Sequence, residues 1–117
     1  MADILVVDDH ETIRRLLCEV LSRMGHNATE AGNGVEALNL CQKHDFDLLI
    51  LDYRMPDMDG LEVAERLKGK IHFILHTSDF NNKALKREAL NAGALGVIAK
   101  ISDVKVFRKD IETFLNM

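Results

Sequence analysis

Apolar and polar positions alternate along this chain with two periods, one typical of strands and the other of helices. The short β-branched run at residues 4–7 has the first pattern, and the apolar positions of residues 12–24 recur every three or four residues. Gly25 then ends the predicted helix. Residues 48–51 are apolar throughout, which predicts a strand that is covered on both faces.

The complete pattern predicts five strands that alternate with five helices. Such short units favour a doubly wound α/β fold, in which a parallel sheet carries helices on both faces. Val35 and Leu90 are expected to face inward from the second and fourth helices. The predicted strands are residues 4–7, 26–31 (a weak strand, expected at a sheet edge), 48–51, 71–75 and 95–99, and the predicted helices are residues 12–24, 34–44, 60–68, 80–92 and 104–115.

Length and composition are typical of one soluble globular domain, which we expect to span residues 1–117. No apolar run approaches the roughly 20 residues of a membrane span and no signal peptide is visible, so we expect a cytoplasmic protein without membrane insertion. The net charge of -4 and the dispersed basic residues argue against direct binding of nucleic acid. Cys18 and Cys41 lie among apolar helical residues, where we expect reduced thiols.

Five chemically capable side chains fall just beyond the ends of predicted strands. Open α/β sheets bind ligands at the carboxyl edge of their strands, so residues at four strand ends are expected to meet in one place. Any one of the acidic residues is explained equally well as a helix cap or turn former, and a lone lysine as a solvated charge. Their convergence is what indicates a site. These residues are Asp8, Asp9, Asp52, Thr77 and Lys100.

The chemistry of this set points to phosphoryl transfer. Three neighbouring carboxylates repel one another unless a cation compensates them, and oxygen ligands favour a hard cation such as Mg²⁺. A carboxylate is also a nucleophile toward phosphorus and forms an aspartyl phosphate. The charge of a transferring phosphoryl group is stabilised by a metal ion, an ammonium group and a hydroxyl donor.

The same residues belong to motifs that occur in a fixed order along nearly the whole chain. They are Asp8-Asp9, the loop DYRMPDMDG at residues 52–60, Thr77-Ser78 and Lys100. In this order they resemble the receiver domain of two-component response regulators, of the chemotaxis-regulator-like, stand-alone kind. The resemblance implies a flavodoxin-like fold with the strand order 2-1-3-4-5.

The resemblance implies a role for each residue of the site. Asp52 is the phosphoacceptor, and Thr77 and Lys100 contact the phosphoryl group. The protein catalyses its own phosphorylation and dephosphorylation and is not otherwise an enzyme. The implied ligands of Mg²⁺ are Asp8, Asp9, Asp52 and the backbone carbonyl of Arg54.

The resemblance also implies the kinds of partner. The phosphoryl group comes from a sensor histidine kinase, a phosphotransfer protein or a small donor such as acetyl phosphate. Its arrival changes the affinity for a downstream partner protein. Because the chain ends just after the fifth predicted helix, we expect a stand-alone receiver. The resemblance implies a monomer or a weak dimer.

Two positions depart from the usual pattern of the family. Ile101 replaces the proline whose cis bond usually follows the lysine; a cis bond before a non-proline residue costs about 3–4 kcal/mol, so a trans bond is expected. Val97 replaces the usual switching aromatic ring. These departures keep open a docking domain that no longer switches. A Mg²⁺-dependent small-molecule phosphatase is disfavoured, because Asp8-Asp9 is not the Asp-x-Asp of such enzymes.

Four further side chains lie near the predicted site. Arg54 and Asp79 carry opposite charges and either bridge over the site or remain separately solvated. His10 follows the acidic pair, and we expect it on the surface at a helix start rather than as a metal ligand. His76 precedes Thr77, so the alternation of a strand points its side chain away from the site.

Overall fold

Within residues 1–100 and 103–117, which the computed structural model describes, the chain forms five strands and five helices in alternation. None of the helices in these ranges is long and apolar enough to cross a membrane. The strands are β1 (Asp3–Val7), β2 (Asn27–Ala31), β3 (Leu48–Asp52), β4 (Phe73–Thr77) and β5 (Val97–Ala99). The helices are α1 (Glu11–Arg23), α2 (Gly34–Lys43), α3 (Gly60–Leu67), α4 (Lys83–Asn91) and α5 (Val104–Leu115).

The strands pair in parallel in the order β2-β1-β3-β4-β5. Every residue of β3 is buried, because its leucine and isoleucine side chains face helices on both sides of the sheet. The more polar β2 lies at an edge, as its sequence predicts. The doubly wound α/β fold with order 2-1-3-4-5 is therefore confirmed.

Alternating side chains of the central strands build two separate cores. Leu5 and Leu49 face the side covered by α2, α3 and α4. Ile4 and Ile50 face the opposite side, which is covered by α1 and α5. A rigid sheet packed on both faces fixes the positions of the strand ends, and hence of the residues that follow them.

Side chains satisfy the first N–H groups of most of the helices. Asn33, Asp59, Asn82 and Asp103 each accept a hydrogen bond from a backbone N–H in the first turn of the helix that follows. The first helix is different, because its N-cap residue His10 makes no side-chain capping bond.

Three predicted elements differ from the observed bounds by two or more residues at an end. β4 begins at Phe73, because Ile71 lies beyond the first residue of β3 and has no strand opposite it. α4 begins at Lys83 instead of residue 80, because the Asn82 side chain caps it by accepting from the N–H of Leu85. β5 is limited to the three residues that pair with β4.

The predictions that Val35 and Leu90 face inward are wrong. Their exposed fractions are 51% and 57%. In each helix the neighbouring residue is buried instead, Gly34 beside Val35 and Ala89 beside Leu90. Successive residues of a helix lie about 100° apart, and Val35 and Leu90 lie outside the buried stripes of their helices, which include Gly34 and Ala89.

The cysteines behave as core thiols, as the sequence predicts. Cys18 and Cys41 are free and half-buried. Burial raises the pKa of Cys18 to about 11 and also raises the pKa of Cys41. Both therefore stay protonated at neutral pH, which makes them poor nucleophiles.

Candidate functional site

The carboxyl edge of the sheet brings the five predicted site residues to one end of the molecule. Asp52 is the last residue of β3 and Thr77 the last of β4. Asp8 directly follows β1, and its N–H donates to the carbonyl of Ala31. The side chains of Asp8 and Asp52 are almost completely buried, with residue exposures of 1% and 3%. Buried carboxylates of this kind require partners.

Lys100 supplies the partner for both buried carboxylates. Its N–H donates to the carbonyl of Thr77, which holds the residue at the end of β5. Its Nζ then lies 2.7 Å from Asp8 Oδ2 and 3.0 Å from Asp52 Oδ1. One ammonium group therefore bridges two acids that are far apart in sequence, as the convergence of strand ends predicts.

The two buried acids respond differently to the shared lysine. Burial raises the pKa of Asp52 to about 6, and the hydrogen bond and charge of Lys100 only partly offset this. Burial also acts to raise the pKa of Asp8, but hydrogen bonds from Lys100 and from the His10 N–H outweigh it and lower the pKa. The charge of Asp8 adds to the rise at Asp52. The single ammonium group of Lys100 therefore does not fully compensate the negative charge of the acids.

The donor atoms of the site fit a hard divalent cation. Asp8, Asp9, His10 and Asp52 each place one ligand atom so that all four atoms lie within 4.8 Å of one another. Carboxylate oxygens are the protein ligands that Mg²⁺ prefers, and its charge would offset the crowding of the acids. The Arg54 carbonyl as a further ligand remains a prediction.

His10 is the member of this group that the sequence argument set aside. It lies at the start of α1, and its side chain is 68% exposed, as expected. Its Nδ1 is nevertheless 3.4 Å from Asp9 Oδ1 and 3.6 Å from Asp8 Oδ1. Its position directly after two acids was the available signal, but backbone geometry decides whether such a ring turns toward them.

Arg54 and Asp79 form an ion pair beside the site. The Arg54 Nε and Nη2 atoms donate to Asp79 Oδ2 at 3.0 and 2.7 Å. Of the two possibilities left open by the sequence, the structure therefore has the bridge. The Asp79 N–H in turn donates to the Thr77 hydroxyl oxygen at 3.1 Å, so the pair is joined to a predicted site residue.

The loop after Asp52 is folded tightly against the end of β3. The N–H of Gly60 donates to the carbonyl of Tyr53, and a Cβ atom at Gly60 would lie 2.6 Å from the Asp52 carbonyl oxygen. Asp57 accepts from the N–H groups of Gly34 and Val35 at 3.2 and 3.0 Å. Burial acts to raise the pKa of Asp57, but these and other backbone hydrogen bonds together outweigh it and lower the pKa. Sequence reasoning did not single out Asp57.

His76 points away from the acids, as predicted. Its ring packs edge-on against Phe107 of α5, with 6.5 Å between ring centroids, and the residue is 1% exposed. Its Nε2 atom has no hydrogen-bond partner among the described residues. Val97 is half-buried on β5. The expected trans bond at Ile101 lies outside the described residues.

Fold and site together define a flavodoxin-like α/β domain with an acidic, lysine-bridged site at the carboxyl edge of its sheet. A sequence profile described as the response regulator receiver domain matches residues 4–112. The chain therefore belongs to the receiver domain family of two-component signalling, whose members act with histidine kinases and downstream targets.

Individual relatives agree with this assignment over nearly their whole length. Sporulation initiation phosphotransferase F of Bacillus subtilis is 36% identical over 115 residues, which are 96% of this chain and 92% of the relative. A chemotaxis protein CheY homolog of Campylobacter jejuni is 36% identical over 118 residues, covering 96% and 91%.

Solved structures show the same fold. Vibrio cholerae CheY4 superposes with a TM-score of 0.90 at 29% identity, covering 97% of this chain and 98% of that one. TrrA of Thermotoga maritima, crystallised in complex with Mg²⁺ and BeF, superposes with a TM-score of 0.86 at 33% identity and covers 97% and 99%.

Proposed function

We propose that residues 1–117 form one receiver domain that acts as a phosphorylation-dependent signalling switch. Asp52 is the acceptor, and the donor is a sensor histidine kinase, a phosphotransfer protein or acetyl phosphate. The observation that carries the proposal is the Lys100 ammonium between two buried acids, 2.7 Å from Asp8 Oδ2 and 3.0 Å from Asp52 Oδ1.

Asp52 has the properties of a nucleophile. Burial raises its pKa to about 6, so it is mostly ionised at neutral pH yet more basic than an exposed aspartate. In the transfer, an Asp52 oxygen bonds to phosphorus while the bond from phosphorus to the donor's nitrogen or acyl oxygen breaks. The electron pair of that bond leaves with the donor.

Lys100 and Thr77 are the proposed stabilisers of the transferred group. Because the ammonium already contacts Asp52 Oδ1, a phosphoryl group attached to this carboxylate falls within its reach. The Thr77 hydroxyl accepts a hydrogen bond from the Asp79 N–H, which leaves its own proton available for a phosphoryl oxygen.

Asp8, Asp9, Asp52 and the Arg54 carbonyl are the proposed ligands of Mg²⁺. When bound, Mg²⁺ supplies charge stabilisation to the phosphoryl oxygens. Three carboxylates compensated by one ammonium group support this assignment, as does the Mg²⁺ in the related TrrA structure. We also propose a cytoplasmic location for this protein.

The output of the switch is a changed affinity for a downstream partner protein. Val97 favours one alternative, a docking domain that binds partners without switching, because valine cannot swing inward as an aromatic ring does. Phosphorylation by itself distinguishes the two, since a docking domain has no need of a reactive Asp52.

The decisive experiment is incubation with acetyl phosphate and Mg²⁺ followed by intact-mass spectrometry. We expect one added phosphoryl group in the wild type and none in Asp52→Asn. Asp45→Asn is the matched control, because Asp45 is exposed just after α2 and outside the site. A gain in Asp52→Asn would place the acceptor elsewhere. No gain in a wild type that binds Mg²⁺ would leave two alternatives, a strict dependence on a cognate kinase or the docking domain.

A further inference from the structure

The His10 ring turns toward the acids of the site and does not cap the helix that follows it. N-cap side chains usually accept a hydrogen bond from the helix, and the His10 side chain makes none. The ring is exposed and not held by packing. Its Nδ1 atom nevertheless lies 3.4 Å from Asp9 Oδ1 and 3.6 Å from Asp8 Oδ1.

These separations are compatible with ligands of one shared cation. Two ligands about 2.1 Å from an octahedrally coordinated ion lie about 3 Å apart when adjacent and about 4 Å apart when opposite. The distances from the His10 nitrogen fall between these values, and the ligand atoms of all four residues lie within 4.8 Å of one another.

The two carboxylate oxygens of Asp8 contact different residues. Asp8 Oδ2 accepts from the Lys100 ammonium at 2.7 Å. Asp8 Oδ1 faces the opposite way, accepting from the His10 N–H at 2.8 Å and lying near the His10 ring. The imidazole is therefore on the side of the acids that the lysine leaves unneutralised.

We propose that His10 Nδ1 is an additional ligand of the cation held by the acidic residues, and that it shifts the selectivity of this site from magnesium toward cations such as Ni²⁺ and Co²⁺. The inference rests on the proposed function to the extent that a divalent cation binds there. Imidazole is a good ligand for Ni²⁺ and Co²⁺, whereas Mg²⁺ is held by carboxylates, carbonyls and water.

The test is isothermal titration of the full, tag-free chain with NiCl₂ and, separately, MgCl₂. In His10→Gln we expect the Ni²⁺ dissociation constant to rise at least about tenfold, the lower end of the effect of removing even an outer partner of a metal ligand. The Mg²⁺ constant should change less than about threefold, because Mg²⁺ depends on oxygen ligands. Glutamine is chosen because it is not a favoured N-cap residue, so the substitution should not add a capping hydrogen bond to α1.

Two further variants complete the design. Asp9→Asn should weaken both cations, which establishes that they share one site. His72→Gln removes an exposed imidazole that precedes β4, at the opposite end of the sheet, and should leave Ni²⁺ binding unchanged. Retained Mg²⁺ binding in His10→Gln shows that this variant is folded.

Three results would overturn the proposal. The first is an unchanged Ni²⁺ affinity in His10→Gln. The second is a loss of Ni²⁺ affinity in His72→Gln that is as large as the loss in His10→Gln. The third is a rise in affinity for both cations in His10→Gln, since His10 would then be a competing positive charge. Failure of the proposed function is distinguishable, because it would appear as the absence of phosphorylation of Asp52, whereas this titration measures only the binding of Ni²⁺ and Mg²⁺.

Discussion

Replacing His76 tests whether a buried, neutral imidazole lowers the stability of this fold in mild acid. Burial lowers the pKa of His76 to about 4, an effect increased by the charge of Lys100 and reduced by that of Asp8. The ordinary value is 6.5, so the unfolded chain binds the proton first as the pH falls. The wild type therefore loses stability as the pH falls from about 6.5 to 4. His76→Leu does not show this loss, because it has no imidazole at position 76 to bind a proton.

The size of the effect follows from the two pKa values. Between pH 7 and pH 5, protonation of the unfolded chain should cost the wild type about 2 kcal/mol more than it costs the variant. Leucine also removes the His76 Nε2 atom, which has no partner among the described residues. Removal of this atom should raise stability by the same amount at both pH values. The part of the stability difference that changes with pH therefore measures the titration of His76 alone.

Urea unfolding at pH 7 and pH 5, followed by circular dichroism, measures this difference. The other titrating groups are the same in both proteins and cancel in the comparison. Ile74→Val is the matched control, because Ile74 is buried on the same face of β4 and does not titrate. The reasoning is refuted if the difference between His76→Leu and wild type is the same at both pH values.

Three further changes test the surroundings of the site. Gly60→Ala places a Cβ atom 2.6 Å from the Asp52 carbonyl oxygen, so urea unfolding should show a loss of about 1–3 kcal/mol, and wild-type stability would contradict this. Arg54→Ala opens the bridge to Asp79 and exposes the aspartyl phosphate to water, so its half-life, followed by mass spectrometry, should shorten; an unchanged half-life discards the bridge as a shield. Asp57→Ala removes two hydrogen bonds to the start of α2 and should lower the free energy of unfolding by about 1 kcal/mol without preventing phosphorylation of Asp52.

The sheet and the meeting of the acids with Lys100 could be predicted because both follow from periodicity and connectivity. Alternating short units require parallel strands, and parallel strands place all their carboxyl ends at one edge. The burial of single helical residues was harder to predict. Val35 is apolar and periodic, yet it is 51% exposed because the adjacent glycine occupies the inward position.

The details that escaped prediction depend on loop conformation. The two hydrogen bonds of Asp57 join residues more than 20 positions apart, and no local pattern marks them. The choice between a bridge and two solvated side chains at Arg54 and Asp79 depends likewise on where two loops come to lie. His10 was set aside because an exposed histidine at a helix start is common, and only the backbone direction turns its ring toward the acids.

Burial of Asp8 and Asp52 at the site disfavours folding. Burial leaves Asp52 with a pKa of about 6, and Gly60 lies where the Cβ of a larger residue would come within 2.6 Å of the Asp52 carbonyl oxygen. Buried carboxylates stabilise a fold only when they are compensated, so selection for stability alone would replace them with apolar residues. A docking domain that binds through exposed side chains has no use for these features. A phosphorylation switch requires them, because the acceptor must be ionised, basic and held beside a positive charge, and for this reason we prefer it.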